Sequence, residues 1–92
     1  MIKKFKQKKL KDLFENGRNA KIGKNLHKRI LLILDILHGA CVPEDANFPG
    51  SRLHELKGDL KGFYSVSVSG NWRLVFRFEN GNVYDVELID YH

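Results

Sequence analysis

The stretch YSVSVSGNWRLVFRFENGNVYDVELI, residues Tyr64–Ile89, shows the clearest strand pattern of the sequence. Apolar residues alternate with serines from Tyr64 to Ser69, and two further alternating runs begin at Trp72 and at Tyr84. A period of two is typical of strands that bury one face and expose the other. Gly-Asn and Asn-Gly pairs separate the runs and favour tight turns. The sequence therefore predicts a three-strand antiparallel meander.

The parity of the alternation predicts how the first two of these strands pair. A two-residue turn after Ser69 would mix apolar and polar residues on each face of the sheet. A three-residue loop instead pairs Val68 with Trp72 and Tyr64 with Phe76, so that the apolar residues share one face.

The same argument favours a three-residue loop, Asn80–Asn82, between the second and third strands, with Arg77 opposite Asp85 on the other face. That other face is predicted to be open, polar and partly basic, which suits a polyanion. It carries Ser65, Ser67, Arg73, Val75, Arg77, Asp85, Glu87 and Tyr91.

Two amphipathic helices precede the meander. Apolar residues recur at helical spacing over Lys6–Glu15, which ends before Gly17, and again over Asn25–His38. We also expect a short strand at Ile2–Phe5 and a loop over residues 40–56. The predicted fold is α+β, with a two-helix hairpin on one face of a mainly antiparallel sheet.

Length and composition limit the function. A chain of 92 residues with 42% hydrophobic residues forms one domain, 1–92, and is too short for separate cofactor and substrate domains. A single cysteine, Cys41, excludes an internal disulfide and a cysteine zinc site, and we expect neither a metal nor a cofactor. With no secretory signal and no apolar run long enough for a bilayer, we expect a reducing, cytoplasmic setting and no membrane partner.

Charge is distributed unevenly along the chain. Residues 1–30 hold eleven Lys or Arg and two acids, whereas residues 31–92 hold five and nine, so the net charges are +9 and −4. This asymmetry indicates a polyanion or an acidic protein as partner. The alternative is a helix face whose lysines only keep the chain soluble.

One group of polar residues could carry chemistry. The end of the third meander strand is expected to lie beside the start of the second, which brings Arg73 close to the last three residues. The group consists of His54, Lys57, Asn71, Arg73, Asp90, Tyr91 and His92.

The same residues carry a resemblance. The stretch Leu53–His92, LHELKGDLKGFYSVSVSGNWRLVFRFENGNVYDVELIDYH, closely resembles the HigB-type toxins of the RelE/ParE superfamily. The specific features are H-x-L-K-G from His54, N-W-R from Asn71 and D-Y-H from Asp90, in that order. The opening MIKKFKQKKLKDLFENG is also similar to the start of the family, so the resemblance covers nearly the whole chain.

The resemblance implies a RelE-like fold and a ribosome-dependent endoribonuclease that cuts mRNA in the decoding site. It also implies a HigA-type helix-turn-helix antitoxin as partner, which contacts operator DNA on behalf of the pair. The basic residues Lys4, Lys8 and Lys11 could then grip ribosomal RNA or meet an acidic antitoxin surface.

Metal-free cleavage of RNA needs three events. The 2′-OH loses a proton, the phosphorane is stabilised and the 5′ oxygen gains a proton. His92 is a candidate acid or base, because an imidazole titrates near neutrality, with a pKa of ~6.5. Asp90 is a second candidate base, or it orients His92. Lys57 and Arg73 offer positive charge for the phosphate, and the guanidinium can bind two of its oxygens.

The remaining candidates have weaker assignments. Tyr91 could stack on a base or donate a hydrogen bond, and His54 could contact RNA. Asn71 could bind a nucleotide, although asparagine is also a common turn residue. Structural alternatives stay open for others: a solvated Arg73 and a frayed His92. Two other functions also stay open, a ParE-like inhibitor of DNA gyrase and a non-catalytic nucleic-acid-binding module.

Overall fold

Two helices lie on one face of a four-stranded antiparallel sheet in the computed structural model, which describes residues 1–90. The helices are α1 (Lys8–Asn16) and α2 (Lys24–Gly39). The strands are β1 (His54–Glu55), β2 (Phe63–Ser69), β3 (Trp72–Glu79) and β4 (Asn82–Asp90), in the spatial order β1-β2-β3-β4. The predicted α+β class, helix pair and meander are confirmed.

The helix ends follow local chemistry. Gly17 adopts a left-handed conformation with φ of 80°, and its N–H donates to the Leu13 carbonyl at 2.8 Å. Such a glycine cap ends a helix without steric cost, as the sequence predicted. Helix α1 begins two residues later than expected, whereas α2 extends one residue beyond its predicted bounds at each end.

The chain start runs parallel to β4. The amides of Lys3 and Lys6 donate to the carbonyl oxygens of Val83 and Val86 at 2.8 and 2.9 Å. The predicted strand at Ile2–Phe5 is thus present as two isolated parallel bridges rather than as a continuous strand. This pairing carries the lysines of the chain start to the edge of the sheet.

The first hairpin differs from its prediction. Ser69 pairs with Trp72, so the turn has two residues and the predicted three-residue loop is wrong. A bulge between Ser67 and Ser69 shifts the register by one position. Tyr64 therefore still pairs with Phe76 as predicted. The parity argument had assigned the extra residue to the turn, whereas the strand itself holds it.

The second hairpin repeats this arrangement. It turns through Asn80 and Gly81, which have φ values of 51° and 78°, so the predicted three-residue loop is wrong here too. Arg77 pairs with Tyr84 rather than with Asp85. Asp85 has a φ of 56° at a register shift, and its Oδ2 lies 3.3 Å from Arg77 Nε.

The core lies between the helices and the sheet. Apolar stripes of both helices meet the inward residues of β2, β3 and β4, and burial of this apolar surface is the main favourable term in folding. The largest fully buried side chains include Leu10, Leu13, Ile30, Ile33, Leu34, Leu37, Val66, Leu74, Phe76, Val83 and Val86. Neither α1 nor α2 lies over the opposite face of the sheet.

The segment predicted as a loop, 40–56, contains two short elements. Pro43–Ala46 forms a 3₁₀ turn, and His54–Glu55 forms β1, a strand that the sequence did not predict. His54 pairs with Ser65 across this edge, which fixes the imidazole-bearing residue to the sheet. Neither helix in the described part of the chain has the length and apolar character needed to cross a bilayer.

Candidate functional site

A cavity of about 370 Å³ lies on the open face of the sheet. Val75 and Ile89 contribute apolar surface from β3 and β4, and Phe63 does so from the start of β2. Leu56 and Leu60 add more from the segment between β1 and β2. Polar side chains complete the lining, namely Lys6, His54, Lys57, Ser65, Arg73 and Glu87. Of the predicted candidates, His54, Lys57 and Arg73 are therefore brought together.

Strand register explains why these side chains meet. His54 lies opposite Ser65, Ser65 opposite Val75, and Val75 opposite Glu87. Directly opposite residues share a face of the sheet. A single row therefore runs across all four strands from an imidazole to a carboxylate. Arg73 lies in the adjacent row, between Ser67 and Ile89.

Arg73 is half-buried and held in place by a serine. Its Nη1 donates to Ser65 Oγ at 3.2 Å. Ser65 is only 2% exposed, so its hydroxyl is a fixed acceptor. The bond orients the guanidinium in the cavity, where its planar group of donors matches the geometry of a phosphate.

Lys57 reaches the cavity from the connection between β1 and β2. It directly precedes a 3₁₀ turn, Gly58–Leu60, which begins with a φ of 72° at Gly58. The turn brings the exposed Lys57 over the same side of the sheet as Arg73. Lys57 and Arg73 thus both present a positive charge to one cavity.

Sequence reasoning did not single out Lys6 and Glu87. Lys6 Nζ lies 3.6 Å from Glu87 Oε1, and both line the cavity. The alternation of β4 predicted that Glu87 lies on the open face, and this was the one indication in the sequence that it could reach the cavity. Lys6 was expected at the start of the first helix. Its pairing with β4 joins residues far apart in the sequence, so no local pattern indicates it.

Other predicted candidates do not line the cavity. Asn71 is exposed in the first turn, where Gly70 takes the positive φ. Asp90 is exposed and pairs with Trp72, which confirms that the end of β4 lies beside the start of β3. This pairing puts Asp90 on the opposite face from Arg73. Tyr91 and His92 lie outside the described residues.

The three predicted RNA-binding lysines lie away from the cavity. Lys4 Nζ lies 3.7 Å from Asp85 Oδ1 at the β4 edge. Lys8 and Lys11 are exposed on α1, and Lys8 lines a separate hollow with Lys9 and Lys21. Lys8, Lys9 and Lys21 thus form a basic surface beside α1 that is distinct from the cavity.

Arg77, four positions after Arg73 on the same strand, is in a different environment. Its Nη1 lies 2.6 Å from Glu79 Oε2, and its Nε bonds Asp85. The hydrogen bond to Glu79 raises the pKa of the Arg77 guanidinium, despite partial burial, which opposes the shift. Since two carboxylates neutralise Arg77, it offers a matched comparison for Arg73.

Two solved structures share this fold. One is described as the YoeB-YefM complex from Staphylococcus aureus, with a TM-score of 0.64 and 19% identity over 100% of this chain and 98% of that chain. The other is the YoeB dimer from Staphylococcus aureus, with a TM-score of 0.58 and 21% identity over 99% and 97%. These likenesses define the class of fold, two helices on one face of an antiparallel sheet.

Sequence comparison then gives the family. Residues 3–92 match the family described as RelE-like toxin of type II toxin-antitoxin system HigB, and the chain belongs to this family. It is 40% identical over 92 residues to Endoribonuclease HigB of Proteus vulgaris, covering 100% of both proteins. It is 32% identical over 83 residues to Toxin HigB-1 of Vibrio cholerae serotype O1, covering 88% of this chain and 87% of that protein. The predicted resemblance is confirmed.

Proposed function

We propose that this protein is an endoribonuclease that cuts mRNA in the decoding site of the ribosome. The observation that carries the proposal is that His54, Lys57 and Arg73 line one cavity on the open face of the sheet. The relative named Endoribonuclease HigB, which aligns over the full chain, supports the same activity.

Lys57 and Arg73 act on the phosphate in this proposal. The 2′ oxygen attacks phosphorus, the bond from phosphorus to the 5′ oxygen breaks, and the RNA is left with a 2′,3′-cyclic phosphate and a 5′-OH. Negative charge accumulates on the phosphoryl oxygens, and two preorganised cations stabilise it. His54 contacts the RNA at the β1 side of the cavity.

Proton transfer is assigned to the end of the chain. Asp90 and His92 are the proposed acid and base, with Asp90 in either role or orienting the imidazole, and Tyr91 stacks on a base or donates a hydrogen bond. The pairing of Asp90 with Trp72, the residue before Arg73, supports this assignment, because it brings the end of β4 to the start of β3.

A small antitoxin is the proposed partner. The YoeB-YefM complex is a toxin of the same fold with its partner protein, which supports a protein partner here. We propose a HigA-type helix-turn-helix antitoxin that blocks the activity and supplies the contacts of the pair to operator DNA.

Replacement of Arg73 tests the proposal. Purified protein, ribosomes and a defined mRNA are incubated, and cut sites are mapped by primer extension. We expect Arg73→Ala to lower the cutting rate by about 100- to 1,000-fold, because it removes a transition-state donor. Thermal unfolding should show that the variant still folds.

Arg77→Ala is the matched control, since Arg77 lies on the same strand and is paired with Glu79 and Asp85. It should cut mRNA at close to the wild-type rate. Full activity of Arg73→Ala would contradict the mechanism. Inhibition of gyrase supercoiling without RNA cleavage would favour the ParE-like function instead.

A further inference from the structure

One carboxylate is present among the cations of the cavity. Of the described residues that line it, only Glu87 is acidic. Its side chain is 28% exposed and lies near Lys6. A carboxylate repels phosphate, so its position in a site proposed to bind RNA needs a reason.

Stability does not supply that reason. The Lys6 side chain of the Lys6–Glu87 pair is 62% exposed, and exposed ion pairs contribute little to folding. The neighbouring pair Lys4–Asp85 ties the chain start to the same strand by an equivalent contact that lies outside the cavity. The position of Glu87 is therefore better explained by what the cavity binds.

The cross-strand row gives the cavity two chemically different ends. His54 and Lys57 are at the β1 end, and Glu87 is at the β4 end. The row crosses three strand spacings, or about 14 Å at roughly 4.8 Å each. A phosphate held between Lys57 at the β1 end and Arg73 on β3 leaves room for a base at the β4 end. Val75 and Ile89 offer that base an apolar surface.

We propose that Glu87 selects the nucleobase. This inference rests on the proposed function and assigns the specificity of the same cavity. Glu87 accepts a hydrogen bond from the exocyclic amino group of adenine, cytosine or guanine. Uracil carries a carbonyl oxygen on each side of its N3–H. These oxygens are acceptors, as the carboxylate is, so they repel it. Lys6 is a positioning residue that holds the carboxylate at the β4 edge.

The test compares Glu87→Gln with the wild type. Both cut an mRNA library that presents all four bases at every codon position on ribosomes, and sequencing of the new 5′ ends counts the cut sites. We expect the wild type to disfavour uracil at one position of the site. Glu87→Gln should reduce that discrimination by about tenfold, because it loses a charged acceptor and its amide can donate to a uracil carbonyl.

Asp85→Asn is the matched control. It removes the same charge from the same strand and the same kind of lysine pair, and asparagine tolerates the positive φ at this position. It should keep the wild-type base preference. If its preference changes as much as that of Glu87→Gln, the effect is one of general charge and the inference is wrong.

A second measurement does not depend on cleavage. NMR titration with cytidine monophosphate should shift the amides around Glu87 more than titration with uridine monophosphate, and Glu87→Gln should remove the difference. Equal shifts in the wild type would overturn the inference.

Other results separate the two proposals. Normal cutting by Glu87→Gln with an unchanged base preference would overturn the role of Glu87 and leave the proposed nuclease intact. Uniform loss of cutting in a folded Glu87→Gln would also overturn base selection, because the carboxylate would then act in the chemistry. If the wild type cuts no RNA on ribosomes, the proposed function is itself wrong.

Discussion

At the scale of single residues, the carboxylate of Asp12 joins helix α1 to the connection that follows it. Its carboxylate accepts a hydrogen bond from Asn19 Nδ2 at 2.9 Å and another from Asn16. The bond from Asn19, followed by that from Asn16, lowers the pKa of Asp12 below its ordinary value of 3.8. The charged form of Asp12 thus ties the end of α1 to the connection that leads to α2.

This residue predicts a pH dependence of stability. The pKa of Asp12 is lower in the folded state than in the unfolded state. Its contribution to the free energy of unfolding is therefore complete at pH values above the pKa of the unfolded state, and it is lost as the pH falls through the pKa of the folded state. Asp12→Asn should therefore melt at a lower temperature than the wild type at neutral pH, and the difference should shrink below about pH 4.

Thermal unfolding from pH 2 to pH 7 measures this difference. Asp35→Asn removes the same charge from the exposed face of α2 and controls for net charge. A gap between Asp12→Asn and the wild type that stays constant down to pH 2 would refute the assignment.

At the scale of elements, each hairpin combines a two-residue turn with a displaced residue in a strand. Asn80 and Gly81 both have positive φ, as a tight turn between strands of normal twist requires. Asp85 then absorbs the extra residue at positive φ. The bulge increases the local twist of β4 and re-aims the side chains that follow it.

Gly81 provides the second stability prediction. A Cβ at this position would lie 3.5 Å from the Cys41 carbonyl oxygen, an ordinary contact, so the cost of Gly81→Ala is conformational. We expect the free energy of unfolding to fall by about 1 to 2 kcal/mol in urea titrations.

Gly39→Ala is the comparison for Gly81→Ala. Gly39 is the last residue of α2 and has open space around it, so alanine should be neutral or slightly stabilising there. Equal destabilisation by the two substitutions would show that the turn conformation is not what Gly81 provides.

The elements also show what sequence can and cannot predict. Alternation over β2–β4 and the stripe of α2 are local patterns, and both were predicted. A bulge leaves the alternation of each flanking half intact, so the parity argument located the extra residue in the loops. Strand β1 has two residues, which is too short for a period to be visible.

The candidate site was predictable to the same degree. His54, Lys57 and Arg73 were identified from residue type and strand order, and they share a cavity. Lys6 and Glu87 were missed because their contact depends on parallel pairing of the chain start with the last strand. Nothing near Lys6 in the sequence reports that pairing.

At the scale of the whole molecule, the positive charge falls into separate regions. Lys4 and Lys6 are paired with carboxylates of β4. Lys8, Lys9 and Lys21 instead border a hollow beside α1. The uneven charge of the sequence therefore becomes a basic surface beside α1 that is distinct from the cavity.

This surface predicts the salt dependence of ribosome binding. Each lysine that contacts an RNA phosphate releases counterions, so Lys8→Glu and Lys11→Glu should each weaken association and flatten the plot of log affinity against log salt by roughly one unit of slope. Co-sedimentation with ribosomes across a range of salt concentrations measures both effects.

Lys28→Glu is the control for these two substitutions. It makes the same change of charge beside Leu32 and Asp35 on α2, in a hollow separate from that of Lys8. If all three variants bind ribosomes alike, the α1 surface has no particular role, and an acidic antitoxin becomes its preferred partner.

The parallel pairing of the first residues with β4 has a consequence for biosynthesis. The amide of Lys3 finds its acceptor on Val83, a residue that the ribosome adds some eighty codons later. Until β4 has been synthesised, the first residues of the nascent chain have no strand to pair with, and Lys6 has no Glu87 beside it. An enzyme built this way is assembled only after β4 has left the exit tunnel.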